Sequence, residues 1–236
     1  MGKFTVIPQD TFTALQLDAG VLLKTFNPAT AAAPSDEDII CATTGGISVS
    51  CVPTYSDFGE DVDNCPNNMK ELKHLDGWDC KMSTTSLGTS PELIKLALGA
   101  ADISGATYAL TSDVSITAGK TYYTRSGTSP NYVYTSVASP VLADIATYYE
   151  ETSPDYKITP RRDLSQSDFS TIWWVGDRAD GGMVAVKLLN ALSTGGFTLQ
   201  TSKNGKGQIS IEITGHVSLS AQSVVPMEFY SADPVT

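Results

Sequence analysis

The chain has 236 residues, of which 41% are apolar and 17% charged. That is enough for a sizeable core, as one large domain or a domain with a smaller companion, and too apolar for a disordered chain. Twenty-six acids against fifteen Lys and Arg give a formal charge of −11, which argues against a surface that grips nucleic acid, because phosphate binding needs clustered cations. The N-terminal stretch MGKFTVIPQDTF lacks an apolar signal core, and no run reaches the roughly 18 to 20 apolar residues of a membrane span. A soluble protein that is not exported by a cleaved signal and has no membrane partner is expected.

In chain order, ISVSCV and WDCKMST alternate apolar and polar residues with the period of a strand. Between them lies the acidic stretch DFGEDVDN, carrying Asp57, Glu60, Asp61 and Asp63. Its carboxylates are hard oxygen donors of the kind calcium takes, but the EF-hand spacing is missing, so a solvated or partner-facing loop is expected. Asp57-Phe58-Gly59 also spells a kinase signature, yet no Gly-rich loop or His-Arg-Asp accompanies it. His74, Asp76, Asp79 and Cys80 match no structural zinc spacing, and Asp76-Gly77 reads as a turn. Cys41, Cys51, Cys65 and Cys80 form no Cys-x-x-Cys pair, so reduced structural thiols are expected.

TSPELIKLALGAAD predicts one short helix. Thr89 and Glu92 have capping-box spacing, Pro91 fits the first turn, Leu93, Ile94, Leu96 and Ala97 form an apolar stripe, and Gly99 ends it. Such a helix is expected to brace a sheet.

From about Ser104 to Tyr156 the composition shifts to Ser, Thr, Tyr and Pro, and the segment holds eight of the ten tyrosines. Within it AGKTYY, residues 118–123, is echoed by DIATYYEE, residues 144–151. Two strands, each with one Tyr turned inward and the next outward, satisfy the echo without a gene-duplicated repeat. Tyr122, Tyr123, Tyr148 and Tyr149 are then either a binding surface or the module's own core.

Further on, FSTIWWV and MVAVKLLNAL flank the loop GDRADGG, and Asn204-Gly205 marks a tight hairpin turn leading from a strand over 197–203 into ISIEITGHVSLS. In that last strand Ile209, Ile211, Ile213, Val217 and Leu219 share one face, while Ser210, Glu212, Thr214, His216 and Ser218 share the other. Six or so strands predict a mainly β sandwich or barrel. There is no Gly-x-Ser-x-Gly, and neither His74 nor His216 pairs in sequence with a nucleophile and a carboxylate. No catalytic residue, cofactor or metal is assigned, and the chain is read as a non-enzyme.

Longer phrases carry more. KITPRRDLSQSDFSTIWWVGDRADGG, followed by MVAVKLLNALSTGGFTLQTSKNGKGQISIEITGHVSLSAQSVVPMEFY, resembles the C-terminal half of major tail proteins, the tail-tube subunits of long-tailed bacteriophages and prophages. TTGGISVSCVPTYSDFGEDVDN through LDGWDCKMSTTSLGTSPELIKLALGAADI is similar to the first half of that family, so the resemblance covers about residues 43–103 and 157–230. In simpler members a short connection joins the helix to the ITPRRDL phrase. Here about fifty residues intervene.

The resemblance implies a tail-tube core over 1–103 and 157–236, with an inserted Thr/Tyr-rich β module over 104–156 that projects outward. It implies a structural virion protein, assembled in the bacterial cytoplasm into the viral tail. Hexameric rings with a continuous inner β-barrel stack into a hollow tube through which DNA passes without specific binding. The implied partners are further copies of the chain and the tail-tip or initiator, tape-measure and tail-terminator proteins. Asp57, Glu60, Asp61 and Asp63, with the N-terminal arm, correspond to ring-stacking elements. Ser210, Glu212, Thr214 and His216 are candidates for the polar face of the barrel wall. A tube protein of a contractile tail or related injection apparatus is the alternative, and a β-module adhesin a more distant one.

Overall fold

A computed structural model describes residues 7–8, 11–12, 15–60, 62–129 and 131–232. The fold is mainly β, with two antiparallel sheets. The described residues form strands β1 (Gln16–Leu23), β2 (Thr43–Asp57) and β3 (Lys73–Ser86), helix α1 (Pro91–Leu98), then β4 (Ala101–Leu110), β5 (Tyr123–Thr128), β6 (Asn131–Ser136) and β7 (Tyr149–Pro160). They continue as β8 (Ser170–Arg178), β9 (Met183–Ser193), β10 (Thr198–Gln200), β11 (Gln208–Gly215) and β12 (Met227–Ala232). This is more strands than the six that alternation predicts, because the short and edge strands carry too few buried positions to register as alternation.

The chain divides into two compact units, Met1–Ala101 with Pro160–Thr236, and Asp102–Thr159. The second is slightly longer than the compositional insert 104–156, because β4 and β7 neighbour each other in its sheet.

The first unit is an eight-stranded sheet in the order β1-β8-β9-β11-β3-β2, with β10 also on β11 and β12 also on β9. On β11, Ile209, Ile211 and Ile213 are each at most 1% exposed while Ser210 and Glu212 face out. Each buried Ile contributes roughly 1.5 to 3 kcal/mol. A slip of one residue would exchange the two rows, so this alternation fixes the register with β3: Ile209 opposite Ser86, Ile211 opposite Thr84, Ile213 opposite Met82. The two buried hydroxyls in that row are satisfied, Thr84 donating to the Gly46 carbonyl and Ser86 accepting from the Gly88 N–H.

β11 ends at Gly215, earlier than its alternation predicts, and Val217 and Leu219 are exposed at 53% and 87%. The chain turns there because the His216 N–H bonds the Leu189 carbonyl and a 3-10 turn over Leu219–Ala221 follows. The β10–β11 connection is likewise wider than a two-residue turn. Asn204 has φ 62° but Gly205 is not left-handed, and the Gly205 N–H closes on the Ser202 carbonyl.

α1 packs on the same core. Leu93 and Ala97 are buried among Leu22, Met82, Ile172, Val186, Leu188 and the β11 isoleucines. Its cap is Ser90, one residue later than the capping-box spacing indicates, with the hydroxyl accepting from the Leu93 N–H at 3.3 Å. Glu92 pairs with Lys24 at 2.8 Å instead of closing a box. Gly99, at φ 76°, stops the helix as expected.

β1 opens with a bulge between Leu17 and Val21, where Asp18 and Gly20 have positive φ and the Trp174 indole donates to the Ala19 carbonyl at 3.1 Å. A Cβ on Gly20 would lie 2.5 Å from the Val175 carbonyl oxygen. The far end of β1 pairs with residues 38–40 through Ile40 N–H to Leu22 O and Lys24 N–H to Asp38 O. That connection also brings Phe26, Ala31 and Ile39 over Leu23, Trp173 and Ala185, the second hydrophobic cluster.

Candidate assembly surfaces

Across β2, β3 and β11 the side of the sheet away from the core is a field of small polar residues. Register sets Ser48 beside Ser83 and Glu212, Thr44 beside Thr85 and Ser210, and Ser50 beside Lys81 and Thr214. Lys81 pairs with Asp79 at 2.8 Å, a contact that raises its pKa. Thr214 shares a hydroxyl contact with Thr194 at 2.8 Å. Of the four wall candidates, Ser210 and Glu212 are exposed and Thr214 half-exposed on this face. His216 is a correction. It lies beyond the end of β11, half-buried, with Nδ1 3.2 Å from the Asn190 carbonyl and its ring edge-on to Phe169, while Asn190 Nδ2 donates to its carbonyl. Asn190, left-handed at φ 46°, bends β9 there and ties His216 to it.

β2 and β3 outrun the sheet and form an arm. Their last fully buried position toward the tip is Cys80, opposite Cys51. Beyond it Pro53 pairs with Trp78 and Tyr55 with Leu75, continuing on β2 the core-facing row of Val49 and Cys51. Here no core covers them. Tyr55 is 57%, Leu75 43% and Trp78 39% exposed, and Val52, Phe58, Val62 and Met69 add further exposed apolar surface. An apolar strip continuous with the core and exposed among the described residues is the kind of surface another protein covers.

The arm's tip is held from within. Asp57 accepts from the Gly59 N–H at 3.0 Å and the Asn68 N–H at 3.1 Å, with Lys73 Nζ 3.7 Å away. Gly59 is buried against Leu72 and Cys65. Asp57 therefore staples the loop, whereas Glu60 and Asp63 point to solvent. Asp61 and most of the N-terminal arm lie outside the described residues.

In the second unit the sheet order is β4-β7-β5-β6. Tyr123 on β5 is paired with Tyr149 on β7, and Tyr108 and Tyr134 link them in a chain of ring contacts with centroids 4.1 to 5.3 Å apart. Arg125 lies over Tyr132 and Tyr149. Tyr122 is fully buried. Its hydroxyl donates to Asp113 at 2.6 Å and accepts from the Thr117 N–H, while Lys120 bridges Asp113 and Glu150. The hydrogen bonds from Lys120 and Tyr122 hold the Asp113 carboxyl below its ordinary range. Tyr148 is 4% exposed and accepts from the Val141 N–H at 3.1 Å. Tyr122, Tyr148 and Tyr149 are thus interior residues, with Tyr123 half-buried.

Among the described residues no three His, Cys, Asp or Glu side chains stand close enough to hold a metal. His74 packs against Phe58, Asp76 accepts from Ser56, Asp79 pairs with Lys81, and Cys80 faces Cys51. A cavity of about 360 Å³ beneath α1 is lined by Ile40, Leu93, Leu96, Ser170, Thr171 and Ile172, with the Lys24–Glu92 pair on its wall. No described helix is long and apolar enough to cross a membrane.

The PRRD phrase has a structural use that sequence reasoning did not assign. Arg161 reaches Asp168 at 2.5 Å, and Asp168 also accepts from the Ser165 N–H at 2.7 Å, closing a capping box before β8. The Ser165 bond, with Arg161 beside it, pulls the Asp168 carboxyl below its usual pKa. The serine followed three residues later by an acid was the available signal. No protein-family model and no curated protein matches the chain.

Proposed function

We propose that this chain is a structural tail-tube subunit that polymerises as stacked hexameric rings into the hollow tube through which phage DNA is ejected. The observation that carries the reading is the β2–β3 arm, whose apolar strip extends the subunit's own core row from the half-buried Pro53 to Tyr55, Leu75 and Trp78, exposed at 57%, 43% and 39%. A second copy is the natural cover, because repetition along an axis lets every arm dock on the next subunit. Among the described residues β2 and β12 lie at edges of the sheet, which gives neighbours main-chain groups to extend it, as ring closure requires. The hydroxyl-rich face of β2, β3 and β11 fits a conduit wall. It is hydrated and weakly charged, and the chain's overall −11 repels phosphate at close range. The unit 102–159, which has a sheet and aromatic cluster of its own, is dispensable for polymerisation in this reading.

The deciding experiment is negative-stain electron microscopy of the concentrated protein, alone and with a tail-tip complex. Hollow rods of uniform width are expected. A monomer that forms no rods even on the initiator would defeat the proposal. A tube of a contractile tail or injection apparatus would give the same rods, and a sheath that coats them would identify it.

A further inference from the structure

Cys51 and Cys80 are register partners on β2 and β3, and their sulfurs stand 3.0 Å apart. Directly opposed antiparallel residues have Cα separations of about 4.5 or 5.5 Å, inside the roughly 4.4 to 6.8 Å that a disulfide spans. The two side chains therefore already meet the main geometric demand of a cross-link without backbone movement. The other two thiols do not compete. Cys65 is in the arm's tip loop, with Met69 and the Pro66 carbonyl around its sulfur, and Cys41 is half-buried at the core's margin.

We propose that Cys51 and Cys80 form an oxidative modification site, at which a small-molecule disulfide converts the facing thiols into a cross-strand disulfide that clamps the root of the arm. The order of events follows from burial. Cys80 is fully enclosed, and burial together with the neighbouring Cys51 pushes its thiol up to about 12. Cys51 is half-exposed, so it is the thiol that meets the oxidant. Its thiolate attacks one sulfur of the disulfide, forming a mixed disulfide and expelling a thiolate that takes a proton from water. The Cys80 sulfur then attacks the Cys51 sulfur, and its proton passes to the departing second thiolate, which leaves as a thiol. Two electrons pass from the cysteine pair to the reagent, which leaves as two thiols.

The position gives the bond its effect. The pair sits where the hairpin leaves the core, with Met82 buried on one side and Trp78 exposed on the other. A covalent tie there closes the whole arm into a loop while leaving its apolar strip free. The inference does not depend on what the strip docks against.

The test uses the full chain, oxidised glutathione at mildly alkaline pH, alkylation of remaining thiols and peptide mapping without reduction. The expected product is a monomer lighter by about 2 Da, for the two hydrogens removed, with one Cys51–Cys80 linked peptide. Hydrogen exchange over residues 73–79 should slow by severalfold. Cys80→Ser should stop at a glutathione adduct on Cys51, and Cys51→Ser should yield no internal link. Four free thiols, a persistent adduct in the unaltered chain, or links through Cys41 or Cys65 would each overturn the proposal.

Discussion

Tyr122 and Tyr148, the first tyrosines of the two echoed phrases, are both buried, and each hydroxyl accepts a backbone N–H from the loop just upstream, Thr117 for one and Val141 for the other. Their followers, Tyr123 and Tyr149, are paired across β5 and β7. The echo is thus two strand entries that solve one problem alike. A phenol can fill apolar space while its oxygen satisfies an amide that the incoming loop leaves without a strand partner.

Tyr122→Phe should therefore lower the stability of the 102–159 unit by about 1 to 3 kcal/mol, since it leaves the Thr117 N–H unpaired and removes a charge-assisted bond. Tyr148→Phe, which strands only the Val141 N–H, should cost less. Urea unfolding followed by tyrosine fluorescence measures both. Equal stability of Tyr122→Phe and the parent chain would refute the assigned role.

Asp168 gives the first unit an acid sensitivity. Its folded pKa is depressed, first by the Ser165 N–H and then by Arg161, so its stabilisation is complete above the unfolded value of about 3.9 and is lost as pH falls through the lower folded value. Asp168→Asn should lower the melting temperature at neutral pH and flatten its decline below about pH 4. Parallel melting curves for the two chains down to strongly acid pH would contradict this.

Gly20 should tolerate no side chain. A Cβ there meets the Val175 carbonyl oxygen at 2.5 Å and the Trp174 ring, at a φ of 68°. Gly20→Ala is expected to cost about 1 to 3 kcal/mol, read as a lower urea midpoint. A midpoint matching the parent's would mean that the bulge is not as described.

The arm separates folding from assembly. Tyr55→Asp replaces a side chain that is 57% exposed, so the subunit should stay folded with a stability change of about 0.5 kcal/mol, while rods disappear from micrographs. Trp78→Asp, at a 39% exposed position, should also abolish rods in a subunit that still unfolds cooperatively. The paired reversal Asp61→Lys with Asp63→Lys should likewise impair tube growth in a folded subunit. Normal rods from the arm variants would remove the observation on which the tube proposal rests.

The sequence by itself determined the β class, the α1 brace, the isoleucine row of β11 and the Tyr-rich segment that makes up most of the second compact unit, because each is written in local period and composition. It also pointed to the acidic loop, but not to which acid serves the loop itself: Asp57 is spent on the Gly59 and Asn68 N–H groups, and only the fold brings Asn68 there. The tertiary structure alone decided that His216 belongs to the Asn190 bend and not to the polar face of β11, that PRRD closes on Asp168, and that Tyr122, Tyr148 and Tyr149 face inward. It alone placed Cys51 against Cys80. The physical reason is shared. Alternation says which residues lie on one face of a strand, whereas what covers that face depends on pairings between residues distant in the chain.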